Sequence, residues 1–84
     1  MPKKNTNDTY ELYKASFAKR LRVKLAAADM NATKLADLIG VTSTVVYDYL
    51  HGKHLSRADK LAQMCVVLKT DANDMLGIRR YPHE

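Results

Sequence analysis

The chain has 84 residues, enough for one domain with a modest hydrophobic core. Its composition, 46% hydrophobic and 27% charged, is ordinary for a globular domain and argues against a disordered chain. The single cysteine excludes an intrachain disulfide, and no run approaches the roughly 18 apolar residues that span a bilayer. Since no apolar segment follows the basic start, we expect no signal peptide, no membrane contact and a cytoplasmic location.

The net charge of +5 is concentrated in the first part of the chain. Residues 1–34 carry eight basic and three acidic side chains, whereas residues 35–78 carry four basic and five acidic ones. One basic end on a small chain suits a polyanion such as nucleic acid. A solvated helix face is the alternative, and charge alone does not decide between the two.

The chain begins with a stretch that lacks large apolar side chains. We predict that residues 1–8 form a flexible basic arm and that a first helix covers about Thr9 to Ala28. Asp8 and Glu11 have the spacing of a capping box. The apolar side chains that recur along this helix, and that predict its buried face, are Leu12, Phe17, Leu21 and Leu25.

Two short helices are predicted next, at Ala32–Ile39 and Ser43–His51. Asn31 and Thr42 precede them, and each side chain can accept a hydrogen bond from an amide of the following first turn. Gly40 lies between the helices, where the residue after a helix often needs a positive φ. Two short helices joined by a tight turn that contains glycine are typical of a helix-turn-helix.

The last part of the chain predicts two further helices. One covers Arg57–Lys69 with Ser56 as its cap, and the other covers Ala72–Leu76 with Asp71 as its cap. Residues 79–84 are expected to form a C-terminal tail. No run is long enough for a convincing strand, so the fold class is predicted to be all-α, with five helices in one compact domain.

The helix-turn-helix at residues 32–51 and its surroundings resemble the lambda repressor and Cro-like family, also called the Xre family. The resemblance covers residues 17–77 and implies that residues 9–78 form a lambda repressor-like domain that binds double-stranded DNA. The matching positions are Leu35-Ala36, Ile39-Gly40-Val41-Thr42, Val46, Tyr49, Gly52-Lys53, Leu61-Ala62, Leu68 and residues 71–77.

The resemblance also implies where DNA is bound. The helix at residues 43–51 would lie in the major groove, and the second helix would direct its N-terminus at a phosphate. The implied base contacts are Ser43, Thr44, Tyr47 and Asp48. The implied phosphate contacts are Arg20, Arg22, Asn31, Thr33, Lys34, His51, Lys53 and His54. Serine and threonine read bases ambiguously, whereas aspartate accepts from the amino group of cytosine.

The function that follows is sequence-specific regulation of transcription by a phage or bacterial repressor. Such a protein would bind an inverted-repeat operator as a homodimer. Met75, Leu76 and Ile78 are expected at the dimer interface, with the internal core as an equal alternative. The second function class is an antitoxin-like or other protein-interaction module, in which a partner protein replaces DNA as the main target.

Other chemistry is not expected. No nucleophile has a plausible base nearby and no glycine-rich phosphate loop occurs, so neither an enzyme nor a cofactor is predicted. His51 and His54 lack a third convergent ligand for a metal. Cys65 is expected to be a small core residue, with a reactive thiol as the alternative.

One departure from the family involves two positions together. Several members pair an arginine of the first helix with a glutamate at the end of the recognition helix, which is the helix that enters the major groove. Leu25 and Leu50 occupy the corresponding positions here. Because apolar residues can replace a buried ion pair, we predict that these two side chains touch.

Overall fold

The computed structural model describes the backbone of residues 6–78 and the side chains of residues 9–78. Within this range the chain forms helices and turns without a strand, so the all-α, five-helix prediction is confirmed. Among the described residues, none of the helices combines the length and the apolar composition that a membrane span requires. The remainder of the predicted arm and the predicted tail at residues 79–84 lie outside the described residues. The helices are α1 (Thr6–Ala27), α2 (Ala32–Ile39), α3 (Ser43–Leu50), α4 (Ala58–Leu68) and α5 (Ala72–Leu76).

The first helix starts earlier than predicted. It begins at Thr6, so residues 6–8 of the predicted arm are helical, and Asp8 does not occupy the predicted cap position before the helix. The first amides of a helix have no intrahelical acceptor and bond to water or to side chains instead. An exposed, polar first turn can therefore be added at little cost in free energy. The helix ends at Ala27, one residue before the predicted end.

All five helices contribute to a single hydrophobic core. Phe17, Leu21 and Leu25 line the buried face of α1, as predicted, but Leu12 is 67% exposed. Leu12 lies five residues before Phe17, which turns it about 140° away around the helix axis. The other buried members of the core are Ala32, Leu35, Ala36, Ile39, Val46, Tyr49, Met64, Leu68 and Met75.

The predicted caps of α2, α3 and α5 are confirmed. Asn31 Oδ1 accepts from the Lys34 amide at 2.8 Å, and Thr42 Oγ1 accepts from the Val45 amide at 3.3 Å. Asp71 Oδ1 accepts from the first turn of α5 at 2.7 Å. These side chains satisfy amides that have no acceptor inside their own helices.

The predicted cap of α4 is wrong. Arg57, rather than Ser56, occupies the cap position, and its carbonyl accepts from the Leu61 amide at 2.8 Å. Ser56 Oγ donates to the same carbonyl at 3.2 Å instead of accepting from an amide. The helix ends at Leu68, and Lys69 follows in the left-handed conformation with φ of 58°.

The last helix packs against the middle of α1. Ser16 Oγ donates to the Leu76 carbonyl at 3.0 Å, and Asp74 accepts from Lys24 at 2.6 Å. Met75 is fully buried, so for this residue the internal core replaces the predicted dimer contact. Leu76 is half-buried, whereas Ile78 is 41% exposed.

Candidate nucleic-acid interface

The helix α3 is attached to the core along one face. Val46 is fully buried and Tyr49 is 6% exposed. The Tyr49 ring meets Phe17 of α1 edge to face, with 5.6 Å between ring centroids. Burial, with a contribution from Asp59, raises the pKa of Tyr49, so its hydroxyl stays protonated. This packing leaves the opposite face of α3 uncovered.

The uncovered face carries the four predicted base contacts. Thr44 and Tyr47 are exposed, and Ser43 and Asp48 are half-buried. The Tyr47 ring stacks on His51 one helical turn later, with 6.5 Å between centroids and 21° between planes. The structure therefore brings the four residues together on one surface, in the first six positions of the helix.

A histidine from the loop after α3 lies beside Asp48. His54 Nε2 is 3.8 Å from Asp48 Oδ2, a distance at which the two attract when the imidazole is protonated. The Asp48 carbonyl accepts from the Lys53 amide at 2.9 Å, which holds the loop against the end of α3. His51, Lys53 and His54 are all exposed at this end of the helix. No cluster of three metal-ligating side chains occurs among the described residues.

The N-terminus of α2 lies at the start of the helix-turn-helix. Asn31 uses its side-chain oxygen to cap the Lys34 amide, which leaves the side-chain NH₂ group for another acceptor. The Leu35 amide bonds to the Asn31 carbonyl and the Lys34 amide to the Asn31 side chain. The amides of Ala32 and Thr33 are therefore the two in the first turn of α2 for which neither the helix nor its cap provides an acceptor. Such amides at a helix N-terminus favour an anion.

The two arginines expected at phosphates lie on different sides of α1. They are two residues apart, which separates them by about 200° around the helix axis. Arg20 Nη1 lies 3.2 Å from Asp74 Oδ1, on the side that carries α5. Arg22 Nη2 donates to the Leu50 carbonyl at 2.7 Å, on the side that carries α3. The position of Arg20 removes it from the surface around α3.

Two contacts to the helix-turn-helix had no signal in the sequence. Besides the bond from Arg22, Lys60 of α4 donates from Nζ to the Ile39 carbonyl at 2.8 Å, at the last residue of α2. Each helix of the helix-turn-helix thus has a cation from another element at its C-terminal end, where cations are favourable. The predicted contact of Leu25 with Leu50 stays a prediction, although both residues belong to or pack against the core.

Comparison with known families agrees with this geometry. A family model described as the Cro/C1-type HTH DNA-binding domain matches residues 20–79, well over half of the chain. The match includes α2, the turn, α3, α4 and α5. Searches of curated proteins and of solved structures give no match. The chain belongs to the family of Cro/C1-type helix-turn-helix DNA-binding domains.

Proposed function

We propose that the chain is a cytoplasmic transcription repressor of phage or bacterial origin that recognises a specific DNA sequence. The observation that carries the proposal is the division of α3 into two faces. Val46 and Tyr49 attach one face to the core, while Thr44 and Tyr47 are exposed on the other. A helix attached in this way fits the major groove, which is about 12 Å wide.

The proposed reading surface consists of Ser43, Thr44, Tyr47 and Asp48. The first two lie in the first turn of α3, the part of a recognition helix that meets base edges. Asp48 would accept from the N4 amino group of cytosine, and the protonated form of His54 beside it would offset its repulsion from phosphates. Tyr47 offers an exposed ring to a sugar or a thymine methyl group.

Phosphates are proposed to bind on both sides of this surface. On the α2 side they would meet the Asn31 NH₂ group, the Thr33 amide and the Lys34 side chain. On the other side they would meet three exposed cationic or titratable side chains, those of His51, Lys53 and His54. These contacts fix the position of α3 on DNA and make the affinity fall with salt.

The proposed functional unit is a homodimer on an inverted repeat. Two recognition helices in successive major grooves on one side of DNA are about 34 Å apart. Ile78, with 41% of its surface exposed, and the half-buried Leu76 are the proposed interface residues. Ile78→Asp should convert the dimer to a monomer in sedimentation experiments and lower the melting temperature only at protein concentrations where the unsubstituted chain is dimeric. At concentrations where both proteins are monomeric the two melting temperatures should agree, because Ile78 does not belong to the hydrophobic core.

The test is selection of bound DNA from a random duplex library at moderate salt. The proposal predicts recovery of one inverted repeat. Asp48→Ala should relax the sequence preference, whereas Lys53→Met should weaken binding to all sequences and lower the salt slope by about 1. Recovery of no motif, with weak salt-sensitive binding alone, would contradict the proposal and favour the protein-interaction module.

A further inference from the structure

The C-terminal end of α3 accepts a hydrogen bond from a side chain of another helix. Backbone amides of the following loop bond to the carbonyls of Tyr47, Asp48 and Tyr49. The Leu50 carbonyl is the last of the four that a helix leaves without an intrahelical donor. Arg22 Nη2 donates to this carbonyl at 2.7 Å. Arg22 of α1 therefore donates the hydrogen bond to the Leu50 carbonyl that no backbone amide of the loop provides.

This bond is well placed to control the orientation of α3. The helix has only eight residues, and its buried side chains are Val46 and Tyr49. Its end passes close to α1, since a Cβ at Gly52 would lie 4.0 Å from the Ala18 Cβ. A charged donor makes a stronger hydrogen bond than a neutral one, and a cation at a helix C-terminus also interacts favourably with the helix dipole.

We propose that Arg22 is a positioning residue for the recognition helix instead of a phosphate ligand. Its bond to the Leu50 carbonyl sets the angle between α1 and α3, and this angle determines which base edges the outer face of α3 meets. The acceptor is a backbone oxygen, so the bond does not depend on the side chain at position 50. The inference rests on the proposed function, because positioning matters only if α3 reads bases.

Arg22→Met and Lys19→Met form a matched pair for the test. Both substitutions remove one positive charge from α1, but Lys19 is exposed and makes no hydrogen bond or ion pair among the described residues. Each variant is titrated with the selected operator and with a scrambled duplex over a series of salt concentrations. The fraction of folded protein is measured by circular dichroism, so that loss of stability is separated from loss of positioning.

Arg22→Met is expected to lower the preference for the operator over the scrambled duplex about tenfold, as a smaller fraction of α3 is in the binding orientation. Binding to the scrambled duplex and the salt slope should stay close to those of Lys19→Met. Equal losses on both duplexes with a salt slope lower by about 1 would identify a phosphate ligand and overturn the inference. A preference within twofold of that of Lys19→Met would overturn it as well.

Amide hydrogen exchange tests the bond without DNA. Arg22→Met should accelerate exchange of the His51 and Lys53 amides, which bond to carbonyls of α3, relative to Lys19→Met. Unchanged exchange would overturn the positioning role.

If the unsubstituted protein fails to distinguish operator from scrambled DNA, the proposed function fails, and accelerated exchange would then show a structural bond only. Arg22→Gln, which loses the charge and part of the reach, serves as the second variant if Arg22→Met does not fold.

Discussion

Gly77 follows the last residue of α5, at the point where this helix packs against α1. Replacement of Gly77 by alanine tests the packing of α5 on α1. Its φ is +71°, in the left-handed region, and a Cβ at this position would overlap Ser16 Oγ. Gly40 provides the matched control. Its φ is +75°, but the nearest atom to its Cβ would be Lys60 Nζ at 3.8 Å, an ordinary contact. The two substitutions therefore share the backbone strain and differ in the overlap.

The expected magnitudes follow from these two terms. A left-handed conformation costs an L-residue about 1–2 kcal/mol, which is the whole expected effect of Gly40→Ala. In Gly77→Ala, Ser16 must also rotate away and lose its 3.0 Å bond to the Leu76 carbonyl. A lost hydrogen bond of this kind adds about 1 kcal/mol. Gly77→Ala should therefore destabilise the fold by about 1 kcal/mol more than Gly40→Ala.

Urea unfolding of a double-mutant cycle measures this difference. Ser16→Ala should cost about 1 kcal/mol in the unsubstituted protein and almost nothing together with Gly77→Ala, because the bond is already lost there. In thermal unfolding, 1 kcal/mol corresponds to a shift of about 4–8 °C for a domain of this size. Equal costs for Gly77→Ala and Gly40→Ala, or additive effects of Ser16→Ala, would refute the packing of α5 on α1.

Three further predictions concern single side chains. Lys60→Met should lower the free energy of unfolding by about 1.5 kcal/mol, since it removes the bond to the Ile39 carbonyl; an unchanged urea midpoint would contradict this. Side-chain hydrogen bonds hold the pKa of Asp74 below its ordinary value of 3.8, and the bond from Lys24 has the largest effect. This carboxylate stabilises the fold fully above pH 3.8, and the stabilisation is lost as the pH falls through the lower pKa of the folded state. Asp74→Asn should therefore flatten the acid side of the stability curve measured by urea unfolding, and an equally steep acid side would count against the ion pair. Burial raises the pKa of the Cys65 thiol, so a thiol reagent at mildly alkaline pH should react more slowly with the folded than with the urea-unfolded protein; equal rates would show that the thiol is open to solvent.

The features that could be predicted from the sequence are local ones. Asn31, Thr42 and Asp71 each precede an apolar helix, and their caps depend on residues within three positions. The cap of α4 was missed because Ser56 and Arg57 are neighbours, and the sequence does not show which carbonyl accepts the first helical bond. Local spacing therefore predicts that a helix exists more securely than it predicts the terminal residue.

The features that were missed depend on the arrangement of helices in space. A helical projection separates Arg20 from Arg22, but only the packing of α5 and α3 on opposite sides of α1 gives them Asp74 and the Leu50 carbonyl as partners. In the same way, Met75 belongs to an apolar C-terminal segment that suits either a core or an interface. Its burial is decided by α1, which lies far away in the sequence.

The central claim is that the outer face of α3 reads DNA. Titration of ¹⁵N-labelled protein with the selected operator duplex, followed by amide chemical shifts, tests this claim most directly. The account predicts the largest shifts at residues 43–48 and at the N-terminus of α2, near Asn31 and Thr33, with small shifts along the outer face of α4. Shifts concentrated on α4, around the 78% exposed Val66, with α3 unaffected, would contradict it.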